Sequence, residues 1–255
     1  MLSSVRGIQA AVLATASIFV STSAFAQEAE PASDASPITV TGSVGIVSDY
    51  RFRGVSLSGG DVALQGGATL THESGFYVGT WGSSIDDGGT DIYGDVELDL
   101  FAGWSGSLSE GVGLDVGLLY YAYPSNASGV DAEYFEPYAT LSTTLGPVQA
   151  KVGVNYAWEQ DSLGGNDNLY VFTKLNAAIP NTPISLNAGL GYTDGVLAPP
   201  FLAGTADDTG FDWTVGASAT VLGNVTLGVA YTGVDGPSID GLTDDAVVGS
   251  LTFTF

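Results

Sequence analysis

The ten residues A246-V247-V248-G249-S250-L251-T252-F253-T254-F255 decide how the chain is read. They alternate without interruption. Val247, Gly249, Leu251, Phe253 and Phe255 fall on one side, and Val248, Ser250, Thr252 and Thr254 on the other. Period-2 alternation is the mark of a strand with one apolar and one polar face. A bare edge strand ending on an exposed aromatic residue invites edge-to-edge aggregation in water. The stretch makes better sense as the closing strand of a barrel whose apolar face meets lipid.

Working outward, the same two-faced pattern recurs upstream. On 148–159, Val148, Ala150, Val152, Val154, Tyr156 and Trp158 form an apolar row opposite Gln149, Lys151, Gly153, Asn155 and Glu159. Ile184, Leu186, Ala188, Leu190 and Tyr192 oppose Ser185, Asn187, Gly189 and Thr193, and Trp213, Val215, Ala217 and Val221 oppose Thr214, Gly216, Ser218 and Thr220. The polar rows carry too little charge for a water-facing outer surface, so the apolar rows are assigned to lipid. Twelve strands are expected, near 38–50, 62–72, 76–85, 92–108, 112–123, 132–145, 148–160, 168–180, 183–194, 211–222, 224–234 and 246–255. Their connections sort into acidic or longer loops alternating with short turns. An up-and-down transmembrane barrel does this, with loops outside and turns and both termini on the periplasmic side. Outward aromatics gather by depth: Tyr120, Phe135, Tyr156, Trp158, Tyr192, Trp213 and Tyr231 toward one end, Trp104, Phe253 and Phe255 toward the other. Interfacial girdles have this form. The fold class is therefore an all-β transmembrane antiparallel barrel over 38–255.

The N-terminus fits an exported protein. Arg6, the apolar run from Ile8 to Val20 and Ala24-Phe25-Ala26 read as a cleavable signal peptide over 1–26. Residues 27–37 (QEAEPASDASP) read as a flexible acidic leader. Removing 1–26 leaves 28 acids against four bases, Arg51, Arg53, Lys151 and Lys174, a net charge of −24. No basic patch exists to meet phosphate, so nucleic acid is excluded as a partner. With no cysteine, disulfides and thiolate metal sites are ruled out.

A resemblance sharpens this reading. VSDYRFRGVSLS at 47–58, SGFYVGTWGSS at 74–84 and ELDLFAGWSG at 97–106, with the terminal Phe, together resemble the TorF family. These are proteobacterial outer-membrane barrels classed as porins without an established substrate. The resemblance spans the whole chain after the signal and implies an outer-membrane barrel with a channel role. It supplies no functional residues. The terminal strand is also similar to those by which the barrel-assembly machinery recognises its clients.

Candidate pore-lining residues follow from carrying the alternation through. Asp95, Glu97 and Asp99 are predicted to point inward from the fourth strand, Asp115 from the fifth, and Arg51, Lys151 and Lys174 from the first, seventh and eighth. Acids and bases would then occupy different arcs and set a selective field, or pair and plug a narrow barrel. Tyr121, Tyr123, Tyr134, Tyr138 and Tyr170 share the inward register near the external mouth. They would either stack against a sugar or nucleoside or fill space.

Catalytic signals are weak. The single histidine, His72, lies beside a turn with no marked serine opposite, so no catalytic residue is assigned. Asp86, Asp87, Asp91, Asp207, Asp208, Asp240, Asp244 and Asp245 sit in loops without EF-hand or nonapeptide spacing. They read as solvated loop acids, with divalent-cation bridging to lipopolysaccharide as the alternative. No metal or cofactor is expected. Twelve strands fall between a filled eight-stranded barrel and a wide porin. The expectation is a narrow monomeric channel in contact with outer-membrane lipid, passing small solutes through a mildly cation-preferring mouth. The alternative is a non-conducting structural or adhesive barrel.

Overall fold

In a computed structural model, which describes residues 36–86, 88–90 and 92–255, the alternating segments close on themselves. The proposed signal peptide, most of the leader, Asp87 and Asp91 lie outside the described residues. Twelve strands form one closed barrel: β1 (Ile38–Val47), β4 (Ala63–His72), β5 (Phe76–Ser84), β6 (Val96–Ser109), β7 (Val112–Ala122), β8 (Tyr134–Leu145), β9 (Val148–Gln160), β10 (Asn166–Ala178), β11 (Ile184–Gly195), β12 (Thr209–Val221), β13 (Val225–Val234) and β14 (Ala246–Thr254). Each is antiparallel to its neighbours in sequence, so closure needs only one non-sequential contact, β14 with β1. That seam runs from Ser43↔Thr254 to Val47↔Ser250. Gly42 and Phe255 finish it by exchanging backbone hydrogen bonds at 2.8 and 2.9 Å. Closure satisfies the edge that an isolated 246–255 strand would have left open.

Connections alternate as the sequence predicts. Short turns at 73–75, 110–111, 146–147, 179–183 and 222–224 mark one end, here the turn end, which also holds the two outer ends of the seam strands. The segments 48–62, 85–95, 123–133, 161–165, 196–208 and 235–245 mark the other, the loop end.

Face assignment follows the pleat. Val247, Leu251, Phe253 and Phe255 are exposed on the outer surface, whereas Thr252 is buried inside. Val152, Val154, Tyr156 and Trp158 of β9 are likewise exposed, and Asn155 between them is buried. The outer wall is thus a continuous apolar belt, with aromatic contacts near the loop end: Tyr120–Phe135, Phe135–Trp158, Tyr192–Phe211 and Trp213–Tyr231. Phe253 and Phe255 stack at the turn end.

One element differs from the sequence expectation. The first strand stops at Val47 rather than near residue 50, and the chain then folds into the barrel. There it makes a two-stranded ribbon, β2 (Arg51–Phe52) and β3 (Val55–Ser56), turned at Arg53 and Gly54 with φ of 49° and 80°. Glycine suits that left-handed turn. A Cβ at Gly54 would also collide with the Val234 side chain, so the ribbon tip lies hard against the β12–β13 wall. Replacing Gly54 with Ala should therefore dislodge the ribbon while leaving the strand ladder intact. Hydrogen exchange at the ribbon amides should accelerate, with the β9–β11 amides unchanged.

Candidate lumen site

The ribbon turns the loop-end half of the lumen into a packed interior. Tyr77, Phe101, Leu119, Tyr121, Tyr123 and Tyr134 form a buried cluster on the β5–β8 wall, and Val47, Tyr50 and Ala63 form a second beneath β1 and β4. Three anchors hold the ribbon against these walls.

The deepest is Arg53. Its Nη2 donates to both oxygens of Glu136 at 2.6 and 2.7 Å, and Glu136 is fully buried. Asn155 Nδ2 and the Tyr121 hydroxyl complete the carboxylate's shell at 2.9 and 3.2 Å. The guanidinium lies 4.3 Å over the Tyr170 ring and 4.6 Å over Phe52. Burial by itself would lower the Arg53 pKa, but the facing Glu136 carboxylate together with the neighbouring Tyr121 and Tyr134 raises it above the usual value. The pair is a charge-assisted clamp in a buried site.

A second anchor is Tyr50, whose hydroxyl donates to Glu97 Oε1 at 2.6 Å, with Tyr123 donating to the other oxygen at 3.3 Å. Burial, then the negative Glu97, raises the Tyr50 pKa well above the usual phenol value, so it remains a donor. The third is Arg51. It bridges Asp49 at 2.5 Å and Asp244 of the last loop at 3.1 Å, and donates to the Asp244 carbonyl at 2.7 Å. Ser56 and Ser58 add hydroxyl bonds to Asp49, and Ser56 N donates to the Leu242 carbonyl at 2.7 Å.

The sequence-predicted residues divide among these surroundings. Glu97, Asp99, Tyr121, Tyr134 and Tyr170 point inward and are buried against the plug, with Tyr121 and Tyr134 stacked at 4.5 Å. Tyr123 is buried just beyond the end of β7. In this arrangement the tyrosines occupy space rather than form an open track. Asp95 precedes β6 and is exposed. Arg51 belongs to the ribbon rather than to the first barrel strand, because the chain leaves the wall at Val47. Asp115 accepts from the Tyr77 hydroxyl at 2.6 Å, and Tyr77 also meets the Tyr138 hydroxyl. Lys151 and Lys174 sit side by side on β9 and β10. Acid-bearing β6–β8 adjoin base-bearing β9–β10, and a further inward acid, Asp212, lies beyond them on β12.

Among the described residues, Arg53, Glu136 and Asp212, with Asp49 beside Arg51, are inward charges that the sequence reading omitted. Glu136 lies between Tyr134 and Tyr138 on the same strand face, so alternation already carried its direction; Asp212 shares the register of Thr214 in the same way. Arg53 carried no such signal, since its position depends on a loop folding inward.

Outside the lumen, His72 Nδ1 meets the Ser74 hydroxyl at 2.7 Å in an exposed turn, a local cap rather than a nucleophile arrangement. Among the described residues, no group of three or more His, Cys, Asp or Glu side chains is placed to hold a metal.

Similar barrels are known. The NanC porin in its rhombohedral crystal form aligns with TM-score 0.56 at 10% identity, covering 85% of this chain and 99% of that one. The COG4313 outer membrane channel from Pseudomonas putida F1 aligns at 0.50 and 16% identity, covering 89% and 99%. At these identities the likeness concerns the fold. No curated protein sequence matches the chain. A family model matches residues 29–254, nearly the whole chain, and on that match the protein belongs to the family described as bacterial protein of unknown function (Gcw_chp).

Proposed function

We propose that this protein is an outer-membrane channel for passive diffusion of small hydrophilic solutes or ions, closed by the inward-folded ribbon. The observation that carries the reading is an inside-out barrel: apolar side chains form the outer belt, and below the plug the lumen wall is mostly Gly, Ser, Thr and Asn. A wall of this kind is matched to lipid outside and water inside. The resemblance to the TorF family and the porin and channel folds of its neighbours support the same role. In this reading the turn end and both termini face the periplasm, and the acidic loops face outward beside lipopolysaccharide. The chain works as a monomer, without catalysis or cofactor.

The plug is built to be displaced. Arg53 Nη1, Asp99 Oδ1, Asn155 Oδ1, Asn168 Nδ2, Thr193 Oγ1 and Asp212 Oδ2 are buried without a protein partner. Each such atom costs about 1–3 kcal/mol when kept from water, so entry of water offsets part of the loss of ribbon contacts. A second reading, a non-conducting barrel, draws on the buried Arg53–Glu136 clamp.

Planar-bilayer recording separates the two. The wild type should show brief or small conductance steps. A variant with residues 50–57 replaced by a short Gly-Ser turn should show larger, long-lived ones. No steps from either protein in repeated reconstitutions, with the barrel confirmed by heat-dependent gel mobility, would establish the non-conducting reading.

A further inference from the structure

The contacts that seat Arg53 in the barrel belong to the wall. Glu136 on β8 accepts from its Nη2 at both oxygens, and Tyr121 on β7 and Asn155 on β9 steady that carboxylate by donating to Oε2. Tyr170, directly across β9–β10 from Asn155, places its ring 4.3 Å from the guanidinium carbon. That ring is itself fixed, stacked on Phe172 at 5.5 Å and donating through its hydroxyl to Asp212 Oδ1 on β12 at 3.3 Å. A buried carboxylate beside an aromatic face is what a guanidinium group binds best. All of these side chains stand on barrel strands, so the arrangement stays on the wall when the ribbon leaves. Arg53 also fills it incompletely. Its Nη1 is buried without a protein partner, as are two acceptors of the same wall, Asn155 Oδ1 and Asp212 Oδ2. The ribbon turn sets the reach of the side chain, and Arg53 sits there at φ 49°, an uncommon value for a residue other than glycine. Charge points the same way. With the ribbon out, the wall keeps Glu97, Asp99, Asp115, Glu136 and Asp212, while Arg51 and Arg53 depart together. Of the four bases beyond the proposed signal, Lys151 and Lys174 then remain, both further toward the turn end than Asn155 and Tyr170.

We infer that Glu136, Asn155, Tyr170 and Asp212 form a subsite for small solutes bearing a guanidinium group, and that Arg53 occupies it as a tethered stand-in. A free guanidinium competes with Arg53 for the Glu136 carboxylate and, by mass action, shifts the barrel toward the ribbon-out state. The solute is then both ligand and opener. Guanidinium is preferred to ammonium because its planar group donates to the carboxylate while lying against the Tyr170 ring, and a compact ammonium is held more strongly by water. The inference deepens the channel reading, on which passage of the solute rests; binding at the subsite does not require conduction.

Methylguanidinium and methylammonium chlorides, at fixed ionic strength, test this on the folded protein in detergent. In the wild type, hydrogen exchange at the ribbon amides should quicken saturably with methylguanidinium and several-fold less with methylammonium. Arg53→Met removes the stand-in and leaves Glu136 without its cation. Saturation-transfer NMR on the ligand methyl protons should then show binding on the order of 10²-fold tighter than to the wild type, because the competent state is more populated. Arg53→Met/Glu136→Met, which lacks the carboxylate, should show no saturable binding. Should either variant fail to fold, the wild-type exchange experiment decides. Equal responses to the two cations, or no saturation with methylguanidinium, would overturn the subsite. In planar bilayers, methylguanidinium should lengthen the open steps of the wild type. Saturable binding in a barrel that never conducts would uphold the subsite and remove the channel. Conduction with no saturable binding would do the reverse.

Discussion

Glu136→Ala should release the ribbon from the lumen and open it to protease. The substitution leaves Arg53 charged in a buried site with its carboxylate partner gone, a change that costs about 3–5 kcal/mol for buried pairs. The barrel ladder does not depend on that pair, so the ribbon can escape to water while the strands stay closed. The ribbon-out population should rise roughly 10²–10⁴-fold. Trypsin reads this directly. Beyond the proposed signal the chain offers four tryptic positions: Arg51 and Arg53, buried in the ribbon, and Lys151 and Lys174 on paired strands. Wild-type protein should resist cleavage, whereas Glu136→Ala should be cut at Arg51 and Arg53 with the remaining strands undigested. The double variant Arg53→Met/Glu136→Met should recover protection at Arg51, because replacing both partners of a buried pair by apolar groups of similar size is often neutral or stabilising. An uncut Glu136→Ala protein with unchanged conductance would show that the clamp does not hold the ribbon.

The second large effect concerns the outer face. Val229 lies in the middle of β13 and is exposed on the apolar belt, and Ser218 on the neighbouring β12 lies one register step away on the inward face. In a bilayer, Val229→Arg should cost about 2–4 kcal/mol in urea unfolding from vesicles, the penalty for arginine at mid-depth on a barrel's lipid face. Ser218→Lys faces the lumen and should stay within about 1 kcal/mol of wild type. Equal, small effects from both would place the outer wall in water and sink the membrane assignment.

The sheet was legible because a strand's side-chain direction is local. Once alternation is read, every residue of β9, β11 or β14 has its face, and the twelve-strand count follows from turn spacing. Glu97, Asp99, Asp115, Lys151 and Lys174 were placed inward for that reason, and Glu136 and Asp212 lay within reach of the same rule. Alternation gives direction but not environment. It could not tell whether Tyr121 and Tyr134 line water or pack against another segment, which depends on what enters the barrel.

What enters is the 48–61 segment, and its course is fixed by partners far away in the chain. Arg53 meets Glu136 across 83 residues, and Arg51 meets Asp244 across 193. No local periodicity encodes contacts of that range, and R51-F52-R53-G54 reads as well as an ordinary exposed turn. The lysine pair stands between the two cases: each side chain's inward direction is local, but their lateral match needs the β9–β10 register that the ladder sets. From A246-V247-V248-G249-S250-L251-T252-F253-T254-F255 the sequence alone determined a two-faced closing strand and, by extension, a barrel with an apolar exterior. Only the tertiary structure decided that the barrel is stoppered, because a buried ion pair forms where two distant segments meet and not where either is written.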